Sequence, residues 1–288
     1  MKCNIIGAGR LGMNLAYSLS KSNLVSIESI CNTSFSSSVR SCQKLGVGTP
    51  VQSIKDLPEA KITWVVCNDD SISSVVSALS ENQQLKSGSY VIHCSGVLSS
   101  SVLEPLRNQG CLIGSFHPPK AFQAEILDDK AFNQVLGVIE GDDEVRQWLN
   151  STFNQLGARL LTIEPNEKPI YHAAAVVASN YLVTLAYYSQ QLLLEAGIEE
   201  NDSKSMVVQL MQSSLSNLQQ KQLVKEALTG PLVRGDLHTI SKHLHCINNN
   251  EIQKLYRTMS MATLPMTTLS DGQKESIINA LSSVVYEK

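Results

Sequence analysis

Residues 5–12 read IIGAGRLG, and their context decides the fold. Gly7, Gly9 and Gly12 stand in G-x-G-x-x-G spacing. The spacing alone is a weak signal. Here it closes a short apolar run, KCNIIG, and opens a helix-like stretch from Arg10 to Lys21, which is the setting that makes it informative. Gly7 permits a tight turn, Gly9 lets the backbone approach a pyrophosphate, and Gly12 lets the helix pack on the strand. The loop Gly7, Ala8, Gly9, Arg10, Leu11 and Gly12 therefore predicts an anion site at the positive end of a helix.

Working outward, short β-type runs alternate with helical stretches. LVSIESIC, KITWVVCN, GSYVIHCSG, CLIGSFH, QVLGVIEG and ARLLTIE read as further strands. Helices are expected near 37–45, 71–79 and 142–156. The alternation predicts a parallel, doubly wound sheet. Beyond Pro165 the strand runs stop. Helices are expected over 169–196, 202–228, 236–246, 249–261 and 271–286, separated by AGIEEND, TGPLVRGD and TLPMTTLSDG. The expected architecture is an α/β Rossmann domain over 1–165 followed by an all-helical domain over 166–288.

Composition narrows the function. The chain has 288 residues, 43% of them apolar, enough for a substantial core. A net charge of −3 with scattered basic residues gives no footprint for nucleic acid. Seven cysteines without C-x-x-C or Cys/His zinc spacing predict free thiols in a reducing cytoplasm, with no metal. The first apolar run is too short for a signal peptide. The apolar stretch 173–188 is broken by Ser179, Asn180 and Thr184, short of the roughly 20 residues a bilayer span needs. No membrane partner is expected.

The second strand ends at Cys31, Asn32, Thr33 and Ser34, where NAD enzymes place a carboxylate on the ribose 2′-OH. Without that carboxylate nothing repels a 2′-phosphate. Asn32 and Ser34 can hydrogen-bond one, Arg10 can supply charge, and Arg40 is a weaker candidate. NADP(H) is therefore favoured over NAD(H). Ligands of open α/β sheets bind beyond the strand C-termini. Asn68 and Asp69, Ser95 and Gly96, and His117 are accordingly expected to line the nicotinamide side. Asp69 can equally cap a helix, and His117 can equally orient a turn before Pro118.

EKPIYHAAAVVASNYLV, residues 167–183, reads as a helix with Lys168 at its start ahead of Pro169. At roughly 100° per residue, His172 lies about 40° and Asn180 about 120° from Lys168, within one broad stripe. Carbonyl reduction needs a proton for the developing alkoxide, which Lys168 or His172 can donate. Asn180 can hold the carbonyl oxygen. The bland alternative is a helix-end lysine, a bonded core histidine and an interhelix polar contact. Further on, Asp236 is a credible N-cap. Arg234, in a short turn, can clamp a carboxylate.

IIGAGRLG, HCSG, GSFHPPKAF, YHAAAVVASN and ALTGPLVRGD together resemble a bacterial family with a Rossmann-like domain and a helical C-terminal domain long labelled as of unknown function. The chain is also similar to deazaflavin-dependent NADP oxidoreductases, pyrroline-5-carboxylate reductases and 6-phosphogluconate dehydrogenase-like proteins, whose C-terminal domains are helical. Some family members look like an alternative ketopantoate reductase of pantothenate and coenzyme A synthesis. That resemblance implies NADPH-dependent reduction of 2-dehydropantoate to pantoate, with a lysine donor and asparagines around the substrate. Lys168 and Asn180 match by residue type and helix position; His172 has no counterpart there. Family relatives often carry arginine where this chain has Asn32. Ser95, His117 and Arg234 are the substrate-binding candidates. A homodimer through the helical domain is expected from the resemblance and the slim alanine-rich helix. An imine reductase of the pyrroline-5-carboxylate type and a non-catalytic NADP-binding protein are the alternatives.

Overall fold

The computed structural model describes residues 1–122 and 126–283. Contacts divide the chain into two compact units, Met1–Val177 and Ala178–Lys288. The first is built on an eight-stranded sheet. Its strands are β1 (Lys2–Ile6), β2 (Ser26–Cys31), β3 (Thr49–Val51), β4 (Ile62–Val65), β5 (Tyr90–His93), β6 (Leu112–His117), β7 (Leu136–Gly141) and β8 (Arg159–Thr162). They lie in the order β3-β2-β1-β4-β5-β6-β7-β8, a Rossmann arrangement extended by two strands.

Helices α1 (Arg10–Lys21), α2 (Phe35–Leu45), α3 (Asp69–Ser80) and α4 (Asp143–Gln155) pack on the sheet. Strand residues alternate between its two faces. Ile62, Trp64, Tyr90 and Ile92 join α1 and α4 residues such as Leu15, Leu19, Leu149 and Phe153 in one core. Val65, Val91 and Ile113 face the other way and meet Ile72, Val76, Leu103 and Leu106. Local signals agree with this packing. Ser34 caps α2 by accepting from Ser37 N, and Gly46 ends that helix in the left-handed region at φ 70°.

Three features depart from the expected pattern. β7 runs antiparallel to β6. The 118–135 segment between them holds no helix among the described residues, and a parallel return needs a crossover of a dozen residues or more, usually helical. The three-residue β3 has no clear strand signature, since it carries Pro50; proline is tolerated there because β3 is an edge strand. Ser100–Gln109 forms a 3₁₀ stretch that strand–helix alternation does not announce.

The last helix of the first unit, α5 (Lys168–Glu195), runs on into the second. The second unit also contains α6 (Glu200–Gln220), α7 (Pro231–Arg234), α8 (Leu237–Cys246), α9 (Asn250–Thr263) and α10 (Asp271–Ser282). α6 stops eight residues before the expected end because Lys221 turns extended, at φ −99° and ψ 149°. The last expected helix, 271–286, ends at Ser282, and residues 284–286 lie outside the described residues. Asp236 caps α8 by accepting from Thr239 N and Thr239 Oγ1, and Ser270 with Gln273 forms a capping box on α10. The core here is small: Ile240, Leu244, Leu264, Ile277 and Leu281.

α5 and α6 leave large apolar side chains in the open. Val183 is 69% and Leu210 63% exposed, with Tyr181, Tyr187, Val208 and Leu215 also exposed. Residues 165–195 are long and apolar enough to cross a membrane by length and composition. That differs from the expectation for 173–188, because the apolar character extends past Tyr188 through Leu192, Leu193 and Leu194.

Candidate active site

The glycine loop has the geometry its spacing predicts. Gly7 adopts φ 91°, and a Cβ there would run into the Val66 carbonyl. A Cβ on Gly12 would overlap the Gly7 carbonyl, whereas Gly9 faces open space. Gly9 is the N-cap of α1 and brings no capping side chain, and the first turn holds no acid. The amides at this helix start can therefore receive an anion.

Beside the loop lies a cleft of about 440 Å³ lined by Gly9, Arg10, Ser37, Arg40, Ser41 and Lys44, among others. Asn32 has a different role from the one expected. Its Oδ1 accepts from Ala8 N at 2.6 Å, and its Nδ2 donates to Ser37 Oγ at 3.3 Å and Ser41 Oγ at 3.1 Å. It braces the glycine loop against α2. Ser34 is occupied as the α2 cap. The cationic wall is left to the two arginines and Lys44. Asn68 is the N-cap of α3, without a side-chain cap bond, and Asp69 is the first residue of that helix.

At the C-terminal ends of β5 and β6 the first unit assembles a second group. Lys168 is 1% exposed. Its Nζ donates to the Ser95 carbonyl at 2.8 Å and to Ser115 Oγ, and lies 3.9 Å from Glu140 Oε1. Glu140, also 1% exposed, accepts from Ser100 N and Ser100 Oγ, both at 2.7 Å. Burial lowers the Lys168 ammonium to about 8, while Glu140, then Cys94 and Asp69, hold it up.

His117 Nδ1 shares a 2.8 Å hydrogen bond with Tyr171 OH. Burial first, then the charges of Lys168 and His172, push His117 down to about 4. Burial likewise pushes the Tyr171 phenol up to about 12. The His117 and His172 rings meet edge to face, with centroids 5.7 Å apart. His172 Nδ1 is enclosed and has no hydrogen-bond partner among the described residues. A Cβ on Gly96 would overlap that nitrogen and stand 3.0 Å from His117 Nε2. The absent side chain at 96 is what admits both imidazoles. Ser95 turns its own Oγ inward, accepting from Val97 N and Leu98 N.

The structure thus gathers Lys168, His172, Ser95, Gly96 and His117 in one unit, and Asn180 and Arg234 belong to the other. Asn180 is exposed, and its carbonyl accepts from Thr184 Oγ1. Arg234 is exposed at the end of α7, before Gly235. Sequence reasoning missed Tyr171, Ser115, Ser100 and Glu140. Only Glu140 carried a signal: a carboxylate in the apolar strand run QVLGVIEG. Chemically, the group offers an enclosed ammonium, two imidazoles and a phenol, at the strand C-termini where an open α/β fold receives its ligands.

Residues 1–118 match the Rossmann-like domain, so the first unit carries the nucleotide-binding fold its glycine loop announces. Residues 135–263 match a more particular family, the domain of unknown function DUF2520. No match to a curated protein is found. Among solved structures, a Bacteroides fragilis protein provisionally described as an NADP oxidoreductase is similar with a TM-score of 0.76 at 21% identity, over 92% of this chain and 98% of its own. The imine reductase of Myxococcus stipitatus, solved with NADP⁺, gives a TM-score of 0.63 at 14% identity, over 98% of this chain and 100% of its own. The Plasmodium falciparum pyrroline carboxylate reductase, with NADP bound, gives 0.57 at 14% identity, over 96% and 98%. At these identities the likeness establishes the fold.

Proposed function

We propose that the chain is an NADPH-dependent reductase of a small 2-oxo acid, most specifically 2-dehydropantoate to pantoate in a cytoplasmic route to pantothenate. When bound, the dihydronicotinamide supplies the hydride that reaches the keto carbon. The chain supplies the rest. Amides at the start of α1 hold the pyrophosphate, while Arg10 and Arg40 flank the cleft suited to a 2′-phosphate. His172 gives its proton to the carbonyl oxygen as charge develops there. The observation that carries this reading is the enclosed, unpartnered Nδ1 of His172 beside Gly96, at the end of β5. Of the two candidate donors, Lys168 is already engaged by Ser95 and Ser115.

The second reading is an imine reductase of the pyrroline-5-carboxylate type, favoured by the fold shared with the imine and pyrroline carboxylate reductases. An assay pairing NADPH and NADH with ketopantoate, pyrroline-5-carboxylate and unbranched 2-oxo acids separates the two. Oxidation of NADPH with ketopantoate is expected. Turnover only of the pyrroline selects the second reading, and no turnover with any substrate leaves a non-catalytic NADP-binding protein.

The proposal includes a homodimer formed through the α5 and α6 faces. Exposed apolar side chains clustered along two helices suit an interaction site. Ser179, Asn180, Thr184, Ser189, Gln190 and Gln191 interrupt α5, which suits a protein partner better than lipid.

A further inference from the structure

The loop from Ser95 to Ser100 is fastened at both ends by opposite charges. At its start, the Ser95 carbonyl accepts from Lys168 Nζ at 2.8 Å. At its end, Ser100 N and Oγ both donate to Glu140 at 2.7 Å. Nζ lies 3.9 Å from the carboxylate, and neither side chain is more than 1% exposed. The loop is also pinned from beneath, since Ser95 N donates to His93 Nδ1 at 3.1 Å. Between the two tethers lies Gly96, against which the His117 and His172 nitrogens rest. Burying an ion pair is expensive, and replacement by packed apolar groups often stabilises a protein. A pair kept at this place, with each partner spent on one end of the same loop, is therefore poorly explained by stability.

We propose that Glu140 and Lys168 are positioning residues, a buried pair that holds the 95–100 loop from both ends and so sets Gly96 against the imidazoles of His117 and His172. This rests on the reductase reading of the same site. Three strands and a helix start contribute: β5 through the loop, β6 through Ser115, β7 through Glu140 and α5 through Lys168. The groups that act on Lys168 from these and neighbouring elements are Glu140, Cys94 and Asp69; His93 and His117 in turn feel its charge. Because burial lowers Lys168 to about 8, deprotonation weakens the hold on Ser95 within reach of neutral pH. Removing the Glu140 charge moves that event to lower pH, since Glu140 favours the ammonium.

The test uses substrate-free, full-length protein and imidazole ¹³C–¹H signals of His117 and His172, followed from about pH 6 to about pH 10, where an ordinary or lowered lysine titrates. Wild type is expected to show a step in both signals near 8. Glu140→Gln should move the step to lower pH, and Glu140→Asp, which restores the charge, should bring it back. The second arm is kinetic. Ser100→Ala removes one tether bond and leaves both charges, so it should lower kcat by about tenfold to a hundredfold, the scale of a small misplacement. Its KM for NADPH should not change, nor should its step. A step unmoved in Glu140→Gln, or an unchanged kcat in Ser100→Ala, overturns the proposal and leaves the pair as packing. A wild type that turns over no carbonyl or imine removes the reductase reading, and the spectroscopic arm still decides whether the pair governs the imidazoles.

Discussion

The two units solve the problem of burying apolar surface in opposite ways. Met1–Val177 covers both faces of its sheet and sinks Trp64, Phe116, Phe132 and Phe153 completely. Ala178–Lys288 closes a core around five residues and leaves Val183 and Leu210 largely in the open. The sheet unit is self-sufficient in core and holds the enclosed polar groups from which chemistry can be built. The helical unit keeps its apolar side chains where another surface can take them. The first is organised inward and the second outward, which separates the expected effects of mutation: turnover and acid sensitivity in the first, assembly in the second.

The hardest test of that division is His172, which belongs to the sheet unit. His172→Phe keeps a ring in place and removes the proton. It should lower kcat by roughly 10²–10⁴, the usual loss for an acid/base group, with NADPH affinity retained. Stopped-flow hydride transfer and fluorescence titration of NADPH measure the two quantities. Wild-type turnover in this variant would take the chemistry away from the group at the end of β5.

Acid sensitivity should belong to the same unit. Burial first, and then the Lys168 ammonium, hold His117 at about 4, well below an unfolded histidine near 6.5. Between those values the unfolded chain binds a proton that the folded one refuses, so stability falls as pH drops through the window. At about 1.4 kcal/mol per unit, His117 accounts for about 2 kcal/mol lost between pH 7 and pH 5. His117→Phe forfeits the Tyr171 bond at pH 7 but lacks the proton linkage. Its stability deficit relative to wild type should narrow by that amount at pH 5, measured by urea unfolding. A deficit constant with pH would mean that His117 is protonated in the folded protein.

How far the sequence reveals this depends on the range of the interaction. The glycine loop is a local signal, and Gly7, Gly9 and Gly12 do what their spacing predicts because turn geometry and helix packing involve only near neighbours. Asp236 at the start of α8 is legible for the same reason. The antiparallel β7 is not, because direction in a sheet depends on what connects the strands rather than on strand composition. Asn32 reads as a phosphate ligand from its place after β2, yet it is consumed by Ala8, Ser37 and Ser41. Its partners come from two other segments. Glu140 meets Ser100 across 40 positions, and Lys168 meets Ser95 across 73. Charges in apolar strands flag such pairs without naming the partner.

The outward-facing unit makes its own prediction. Val183→Glu and Leu210→Glu place charge on side chains that are 69% and 63% exposed, so the isolated fold tolerates them. At a dimer interface the same charge is buried without a partner. Dissociation should become easier by about a hundredfold, near 2.7 kcal/mol. Light scattering across a dilution series reads this directly. A monomeric wild type, or glutamate variants that still dimerise, would show that α5 and α6 do not form the interface.

The smallest expected effect sharpens the cofactor assignment within the sheet unit. Arg10 and Arg40 both line the cleft beside the glycine loop, from different helices. Arg10 begins α1, beside the amides proposed to hold the pyrophosphate, where any dinucleotide would feel it. Arg40 lies on α2, the helix that follows β2, whose end is proposed to face the ribose, where only a 2′-phosphate would add charge. Arg40→Ala should therefore raise the KM for NADPH by about tenfold, the worth of one exposed phosphate contact near 1.4 kcal/mol, and leave that for NADH unchanged. Arg10→Ala should weaken both cofactors together. Equal losses for NADPH and NADH in the Arg40 variant would detach α2 from the 2′-phosphate. The preference would then have to come from the missing carboxylate at Asn32 alone, because a neutral residue there spares a 2′-phosphate repulsion without adding attraction.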